Sequence, residues 1–320
     1  MNALQDALEM IKNSASFIIL GHEKPDGDCI ASQLVLYEAL KKKGKTVNVY
    51  SSGPFNRPEI APFSKFFDST ISNEVIDQKP TVIMVDCSSP DRTGLYEKQI
   101  LGLQSIIIDH HSSGSKFGDI RMIDSSAPAT AYLIQLLLEA DNFSLTANQA
   151  ELLLLGICTD TGFFKHPNAT HPKLFEAISR LIDKGASPHN VYNKLNMSTS
   201  LEKRHLLGNL LTRTERHLGG NLLFTYQTLR DLELIPKSER GNEELYSLLQ
   251  TVIDYELLVF AREEEDEVFS VSMRSKNSKD VGEIAESFGG GGHKQAAGFS
   301  WKGSIESLRE KIIAASLLIG

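Results

Sequence analysis

The chain has 320 residues, with 33 Lys and Arg against 41 Asp and Glu, a formal net charge of −8, and 41% of its residues are apolar. That length predicts two domains, and the acidic balance argues against long nucleic acid as a partner, because tracking a phosphate backbone draws on a basic stripe. Any phosphate substrate is therefore expected to be small or short.

No apolar run approaches the roughly 20 residues of a membrane span, and Met1 to Asn13 reads as the start of an amphipathic helix rather than a signal peptide. A soluble, cytoplasmic protein without a membrane partner is expected. Cys29, Cys87 and Cys158 form no CxxC pair, which fits a reducing compartment and speaks against a disulfide framework or a zinc ribbon. Each lies within two residues of a candidate metal-binding aspartate, but small buried filler is the expected role. The basic cluster Lys41-Lys42-Lys43 is expected to answer a helix C-terminal dipole rather than to grip phosphate.

Along the first half, Phe17–Leu20, Thr46–Tyr50, Thr81–Val85 and Ser105–Ile108 read as strands. Helices are predicted from Cys29 to Lys43, closed by Gly44, then from Ala129 to Ala140 and from Ala147 to Cys158. Continuous Ile and Val runs separated by helices suit a parallel sheet buried on both faces. The predicted fold class is α/β: an N-terminal domain over 1–187 with helices on both faces of a parallel sheet, a helical connector over 188–215 beginning after Gly185-Ala186-Ser187-Pro188, and a smaller α/β domain over 216–320. In that second domain Leu222–Tyr226 and Val268–Met273 alternate like strands, and Glu243–Tyr255 and Ser304–Leu318 have helical period. The acidic run Glu263–Glu267, between two predicted strands, reads as a solvated turn.

Chemistry-bearing residues stand directly after the apolar strands. The first ends in Gly21-His22-Glu23-Lys24-Pro25-Asp26-Gly27-Asp28, the third in Asp86-Cys87-Ser88, the fourth in Asp109-His110-His111. Asp160 follows the helix ending at Cys158. In open parallel sheets, ligands bind beyond the carboxyl ends of the strands, so these clusters are expected to meet. Asp26, Asp28, Asp86 and Asp160 brought together would repel and raise one another's pKa values. Two divalent cations would neutralise them. A mixed histidine and carboxylate set suits manganese, with magnesium, iron and zinc as other candidates, and metal pairs are a recurring device of phosphoryl transfer. A lone Asp-x-Asp is usually a turn or a cap, and Asp28 could serve only to cap its helix; the ordered set of clusters outweighs that reading. His166, His171, His189, His205 and His217 share no pattern and are expected at the surface.

The segment His22 to Asp28 resembles the first motif of the DHH superfamily, Asp86 the second, Asp109-His110-His111 the signature that names it, and Thr159-Asp160-Thr161-Gly162 the fourth. Gly289-Gly290-Gly291-Gly292-His293-Lys294-Gln295-Ala296-Ala297-Gly298 resembles the glycine-rich motif of the associated DHHA1 domain. The layout is similar to the NrnA-like group of oligoribonucleases and pAp phosphatases, whose relatives also cleave linear dinucleotides such as pApA. The resemblance implies that His22, Asp26 and Asp86 hold one metal and that Asp28, Asp86, His110 and Asp160 hold the other, with Asp86 bridging. It also implies that Asp109 orients a ligand and that His111 faces the substrate phosphate or the departing oxygen. One departure stands out: family members often carry an acidic residue in the helix beginning at Ala129-Thr130-Ala131, where this chain has Tyr132 and Leu133.

In the second domain, successive glycines permit positive φ and close approach of backbone N–H groups to a ligand. Gly290, Gly291, Gly292 and His293, with Arg274 and Ser275 at a strand end, are the expected nucleotide grip, Arg274 through its planar fork. The expected activity is hydrolysis of short RNA, linear dinucleotides or pAp by a water activated between two cations. The expected partners are that substrate and at most a second copy of the chain. The alternatives are a pyrophosphatase or exopolyphosphatase, against which a base-recognising loop argues, a RecJ-like exonuclease, disfavoured by the acidic balance, and a non-catalytic nucleotide sensor, against which the full ligand set argues.

Overall fold

The computed structural model describes residues 3–166, 172–197, 199–233, 235–236, 240–276 and 279–318. The chain divides into two compact units, Met1–Ser198 and Thr199–Gly320. His171 lies outside the described residues. Among the described residues no helix is long and apolar enough to cross a membrane.

The first unit is built on five strands, β1 (Ser16–Leu20), β2 (Thr46–Tyr50), β3 (Thr81–Val85), β4 (Ser105–Asp109) and β5 (Ile120–Ile123). They lie in the order β2-β1-β3-β4-β5, and every pairing is parallel. Alternation along the apolar runs supplies two buried faces. Phe17, Ile19, Ile83, Val85, Ile106 and Ile108 join one core cluster. Ile18, Leu20, Val82, Met84 and Ile107 join another. Eight helices accompany the sheet among the described residues: α1 (Ala3–Asn13), α2 (Gly27–Lys42), α3 (Asn73–Asp77), α4 (Glu97–Ile100), α5 (Thr130–Ala140), α6 (Ala147–Asp160), α7 (Pro172–Asp183) and α8 (Pro188–Asn196). The strand order reverses direction at β1 and β3, the switch point at which ligands of open α/β sheets bind.

Several boundaries differ from the sequence-based expectation, each for a local reason. Helix α2 begins at Gly27 because Asp26, not Asp28, is its N-cap, accepting from the amides of Asp28 and Cys29. Helix α6 runs on through Asp160, so that carboxylate belongs to a helix end rather than to the loop after it. The lysine cluster is engaged locally: Lys43 pairs with Asp141, Lys42 lies over the Phe143 ring and Lys41 over Tyr37.

Close packing of α2, α5 and α6 turns on Gly156. A Cβ there would meet the Ala131 Cβ at 2.8 Å and Asp28 Oδ1 at 2.9 Å. Alanine would gain about 1 kcal/mol of helix propensity, but overpacking a core costs about 1–3 kcal/mol. Gly156→Ala is therefore expected to lower the urea midpoint of the metal-free protein and to weaken metal binding through Asp28. An unchanged midpoint would show that the three helices can spread without cost.

The second unit carries α9 (Leu201–Thr212), β6 (Glu215–His217), β7 (Leu222–Gln227), α10 (Glu243–Leu249), β8 (Leu257–Glu265), β9 (Val268–Ser275), α11 (Val281–Ser287), β10 (Gly291–His293), β11 (Ala296–Lys302) and α12 (Ile305–Leu318). Its sheet has the order β10-β11-β9-β8-β7-β6, with β7 and β8 parallel and the other pairs antiparallel. The segment expected as one connector helix is two: α8 buries Val191 in the first unit's core and α9 buries Leu206, Leu207 and Leu210 in a cluster of the second. The helical reading of Glu243–Tyr255 holds only to Leu249. The acidic run is not a turn throughout, since β8 continues to Glu265 across a bulge between Glu263 and Glu265. Glu264 to Glu267 stay exposed at the turn of the hairpin, and Arg262 pairs with Glu264.

Candidate metal centre

The ends of β1, β3 and β4 deliver their clusters to one place. Asp86 stands one residue past β3 with its amide bonded to the Ile108 carbonyl of β4 at 3.0 Å. Its φ of 60° lies in the left-handed region, which Asp tolerates better than most residues and which marks functional positions where surrounding structure over-determines the backbone. The side chain is buried at 1% exposure. Oδ2 lies 3.2 Å from His22 Nε2 and Oδ1 3.6 Å from His110 Nε2.

The two histidines are oriented alike. His22 Nδ1 lies 2.8 Å from the Glu23 carbonyl, and His110 Nδ1 lies 3.3 Å from the Ala127 carbonyl. A carbonyl only accepts, so each Nδ1 carries a hydrogen, and once the ring is neutral its Nε2 is the nitrogen that presents a lone pair inward, the tautomer that metal-ligating histidines adopt. His110 Nε2 is 2.9 Å from Asp160 Oδ2, yet this buried nitrogen makes no aligned hydrogen bond. A ring nitrogen that faces carboxylates without an aligned hydrogen bond is what a cation between them would satisfy.

Asp28 is fully buried. Its Oδ1 accepts from the Ala131 amide at 2.8 Å and its Oδ2 from the Thr130 amide at 2.6 Å, so it sits on the positive end of α5. Donor atoms of Asp28, Asp86, His110 and Asp160 all lie within 4.8 Å of one another; so do those of His22, Cys29 and Asp86, and those of Asp86, His110 and His111. Asp26 is less central: its Oδ1 caps α2 and lies 3.9 Å from His22 Nε2.

Crowding shows in the titration. Burial first, and then the Asp86, Asp160 and Asp26 charges, push the Asp28 carboxyl well above its ordinary range. Burial likewise raises Asp86, with His22 opposing and Asp26 adding to the rise. Burial alone would depress the His110 pKa, but the Asp160 and Asp86 carboxylates outweigh it and hold it at about 9. Without added positive charge the cluster must keep protons; two divalent cations fit its donor set of carboxylate oxygens and imidazole nitrogens.

Behind the centre, Asp109 Oδ1 accepts from the His111 amide at 3.1 Å and lies 2.8 Å from His111 Nδ1. Burial would raise this carboxyl, but His111 holds it below the ordinary range. The pair leaves His111 Nε2 facing away from Asp109, on a side chain 37% exposed.

Two residues escaped the sequence reading. Thr130 donates its hydroxyl to Asp86 Oδ1 at 3.0 Å, so the α5 start contacts the centre through Thr130 and Ala131 although the acidic residue common in the family is absent. His166, expected at the surface and indeed exposed, has its Nδ1 2.9 Å from the Asp160 carbonyl. Cys29 Sγ reaches Gln33 Oε1 at 3.6 Å. Burial, then the Asp86 and Asp26 charges, keep its thiol protonated far above the usual range.

In the second unit the register His293↔Ala296 and Ala296↔Arg274 sets His293, Ala296 and Arg274 in one row across β10, β11 and β9, and directly paired residues share a sheet face. Arg274 lies over the Tyr246 ring at 5.0 Å and donates to its neighbour, the Met273 carbonyl. Ser275 Oγ is buried without a hydrogen-bond partner. Of the four glycines, Gly289 and Gly292 have positive φ. Gly290 and Gly292 are also required by contact, since a Cβ at either would fall within 2.5 Å of β11 backbone. They permit strand pairing, a role that the sequence expectation did not foresee.

A parallel sheet that gathers aspartates and histidines at its switch point defines an α/β protein with a candidate metal centre. The model of the DHH family, N-terminal domain, matches residues 16–157, and that of the DHHA1 domain matches 242–316. A Thermus thermophilus relative named bifunctional oligoribonuclease and PAP phosphatase NrnA is 30% identical over 310 residues, 94% of this chain and 91% of its own. The Bacillus subtilis protein of the same name is 28% identical over 89% of this chain and 90% of its own. An exopolyphosphatase-related protein from Bacteroides fragilis has the same fold, with a TM-score of 0.80 and 22% identity over 99% of this chain and 96% of its own. The chain belongs to the DHH family.

Proposed function

We propose that the chain is a metal-dependent phosphoesterase that hydrolyses short oligoribonucleotides, linear dinucleotides such as pApA, and pAp, to mononucleotides. The observation that carries this reading is the convergence of Asp28, Asp86, His110 and Asp160 within 4.8 Å at the sheet's switch point, in a chain whose relatives over 94% and 89% of its length are named oligoribonuclease and PAP phosphatase.

In this scheme Asp28, Asp86, His110 and Asp160 hold one cation, and His22, Asp26 and Asp86 the other; manganese is the proposed metal, with magnesium as the substitute. When bound, the pair would supply Lewis acidity toward the phosphoryl oxygens and lower the pKa of water toward neutrality. The chain's own groups do the rest. The Glu23 and Ala127 carbonyls fix the tautomers of His22 and His110, Thr130 aims Asp86, and the α5 amides hold Asp28. Asp109 keeps the hydrogen of His111 on Nδ1, so that Nε2 can hand a proton to the departing oxygen. Arg274, Ser275, Gly290, Gly291, Gly292 and His293 receive the nucleotide, the guanidinium on phosphate and the loop beside the base.

Turnover of pApA, pAp, pyrophosphate and polyphosphate with Mn2+, against a chelated control, tests the reading. AMP release from pApA and pAp with the inorganic substrates untouched supports it; preference for pyrophosphate or polyphosphate overturns it. Arg274→Ala should raise KM about 10- to 100-fold, the worth of a charge-assisted hydrogen bond, with kcat little changed, as expected when binding is lost equally from ground and transition states. An equal loss in kcat would move Arg274 from binding to chemistry.

A further inference from the structure

We propose that His166 contacts the substrate, accepting a hydrogen bond from the ribose 2′-hydroxyl of the nucleotide held at the centre, and thereby favours RNA over DNA. This rests on the function proposed above and names a specificity residue for it.

The inference begins with the tautomer. His166 Nδ1 lies 2.9 Å from the main-chain carbonyl of Asp160. That oxygen can only accept, so Nδ1 carries the hydrogen, and Nε2 of the neutral ring is left with a lone pair. His166 belongs to none of the clusters whose donor atoms draw together at the centre, and its ring is exposed. The result is a hydrogen-bonding ring anchored to a centre residue, outside the carboxylate set and on an exposed residue.

The chain beneath it is built to hold that position. Gly162, Phe163 and Phe164 have φ of 54°, 56° and 68°, a left-handed turn that two phenylalanines would not adopt unaided. The Phe163 amide donates to the Cys158 carbonyl at 2.8 Å, the Phe164 amide to Thr161 Oγ1 at 3.2 Å, and the His166 amide to the Thr161 carbonyl at 3.1 Å. The rings anchor the turn: Phe163 packs on Tyr192 at 5.3 Å and Phe164 on Phe175 at 5.5 Å. The imidazole lies over Gly162, where a Cβ would fall 2.5 Å from Nε2. Glycine at this position therefore gives the ring its seat, and strain of this kind clusters at ligand-binding sites.

A nucleotide whose phosphate meets the metal centre brings few donors near that phosphate, and the sugar hydroxyls are the foremost of them. An imidazole lone pair cannot favour a phosphate oxygen, which has no hydrogen to offer. It can favour a hydroxyl, and the 2′-hydroxyl is the group by which a protein tells RNA from DNA.

The test compares kcat/KM for pApA and its 2′-deoxy counterpart, with Mn2+, in the full wild-type chain and in His166→Ala. The wild type should prefer the ribonucleotide, and the substitution should cut that preference about 3- to 10-fold, the value of one neutral hydrogen bond, with the loss falling on the ribonucleotide. Mn2+ affinity by calorimetry should stay unchanged. Equal loss on both substrates, no loss on either, or weakened Mn2+ binding would each overturn the proposal, the last by reducing His166 to a prop for Asp160. Equilibrium binding of AMP and 2′-deoxy-AMP reads the same contact without turnover. A chain that binds AMP in preference but hydrolyses neither dinucleotide would refute the proposed activity and leave the hydroxyl contact standing.

Discussion

Asp86→Asn is expected to lower kcat on pApA by on the order of 10³-fold, as the loss of a central electrostatic element does, while the metal-free protein becomes more stable than the wild type. Asp86 is the residue common to all three donor clusters of the centre, with His22 on one oxygen and His110 on the other. Asparagine has the same shape, tolerates the left-handed φ of this position, and can keep the Thr130 hydroxyl on its carbonyl oxygen. What it lacks is charge. The wild-type carboxyl is raised by burial, so ionised Asp86 is a cost to the metal-free fold that asparagine removes, and Asp28, raised first by burial, loses the largest of the charge repulsions acting on it. Two measurements check this: steady-state turnover, and thermal melts with chelator and with Mn2+. The variant should melt above the wild type in chelator and gain little from Mn2+, because a ligand stabilises only the state that binds it. Turnover near the wild-type rate would remove the basis of the metal scheme.

Much of the first unit was legible in the sequence because β1, β3 and β4 are short apolar runs, and each leads within two residues into Asp or His. A strand buried on both faces has no freedom to hide its pattern, and a residue just past its carboxyl end has only one crevice to enter. Short strand β5, with Arg121 in its middle, and the small helices α3 and α4 gave no such signal; they are formed by pairing and packing rather than by their own period. The start of α2 was placed two residues late, at Cys29 rather than Gly27, since Asp26 and Asp28 are equal as cap formers and only the α5 amides draw Asp28 inward. Thr130 could have been suspected, as a hydroxyl at the start of an apolar helix. Nothing local marks His166: its place depends on a left-handed turn held by Tyr192 and Phe175, contacts that no spacing rule encodes. In the second unit the glycine run was legible as a segment of close backbone approach, but its demand for closeness comes from β11, a partner visible only after pairing.

The stability conferred by metal should grow as pH rises from about 6 to about 8.5, because binding must displace protons that the empty cluster holds. Burial and neighbouring carboxylates raise Asp28 and Asp86 above the ordinary value of 3.8. The folded chain therefore binds these protons more tightly than the unfolded one. Their contribution to stability is full below 3.8 and is lost as pH climbs through the raised values. His110 acts in the same direction. Burial opposes its charge, but Asp160 and Asp86 hold its pKa at about 9 against an ordinary 6.5, so its contribution is full below 6.5 and is lost through about 9. Asp109 runs the other way: burial is outweighed by His111, its pKa is lowered from 3.8, and its contribution is lost as pH falls. Stripped protein should thus be most stable in mild acid and weaken toward alkaline pH. A cation takes the place of those protons. At 100 times its dissociation constant it adds about 2.7 kcal/mol, roughly 5–10 °C in Tm for a unit of this size, and the increment should shrink in acid, where His110 and the carboxyls compete. Melts of stripped and Mn2+-loaded protein across this range measure the gap directly. A gap that stays level or narrows with rising pH would mean that His110 gives up no proton to the metal, and that the nitrogen facing Asp160 is not a ligand.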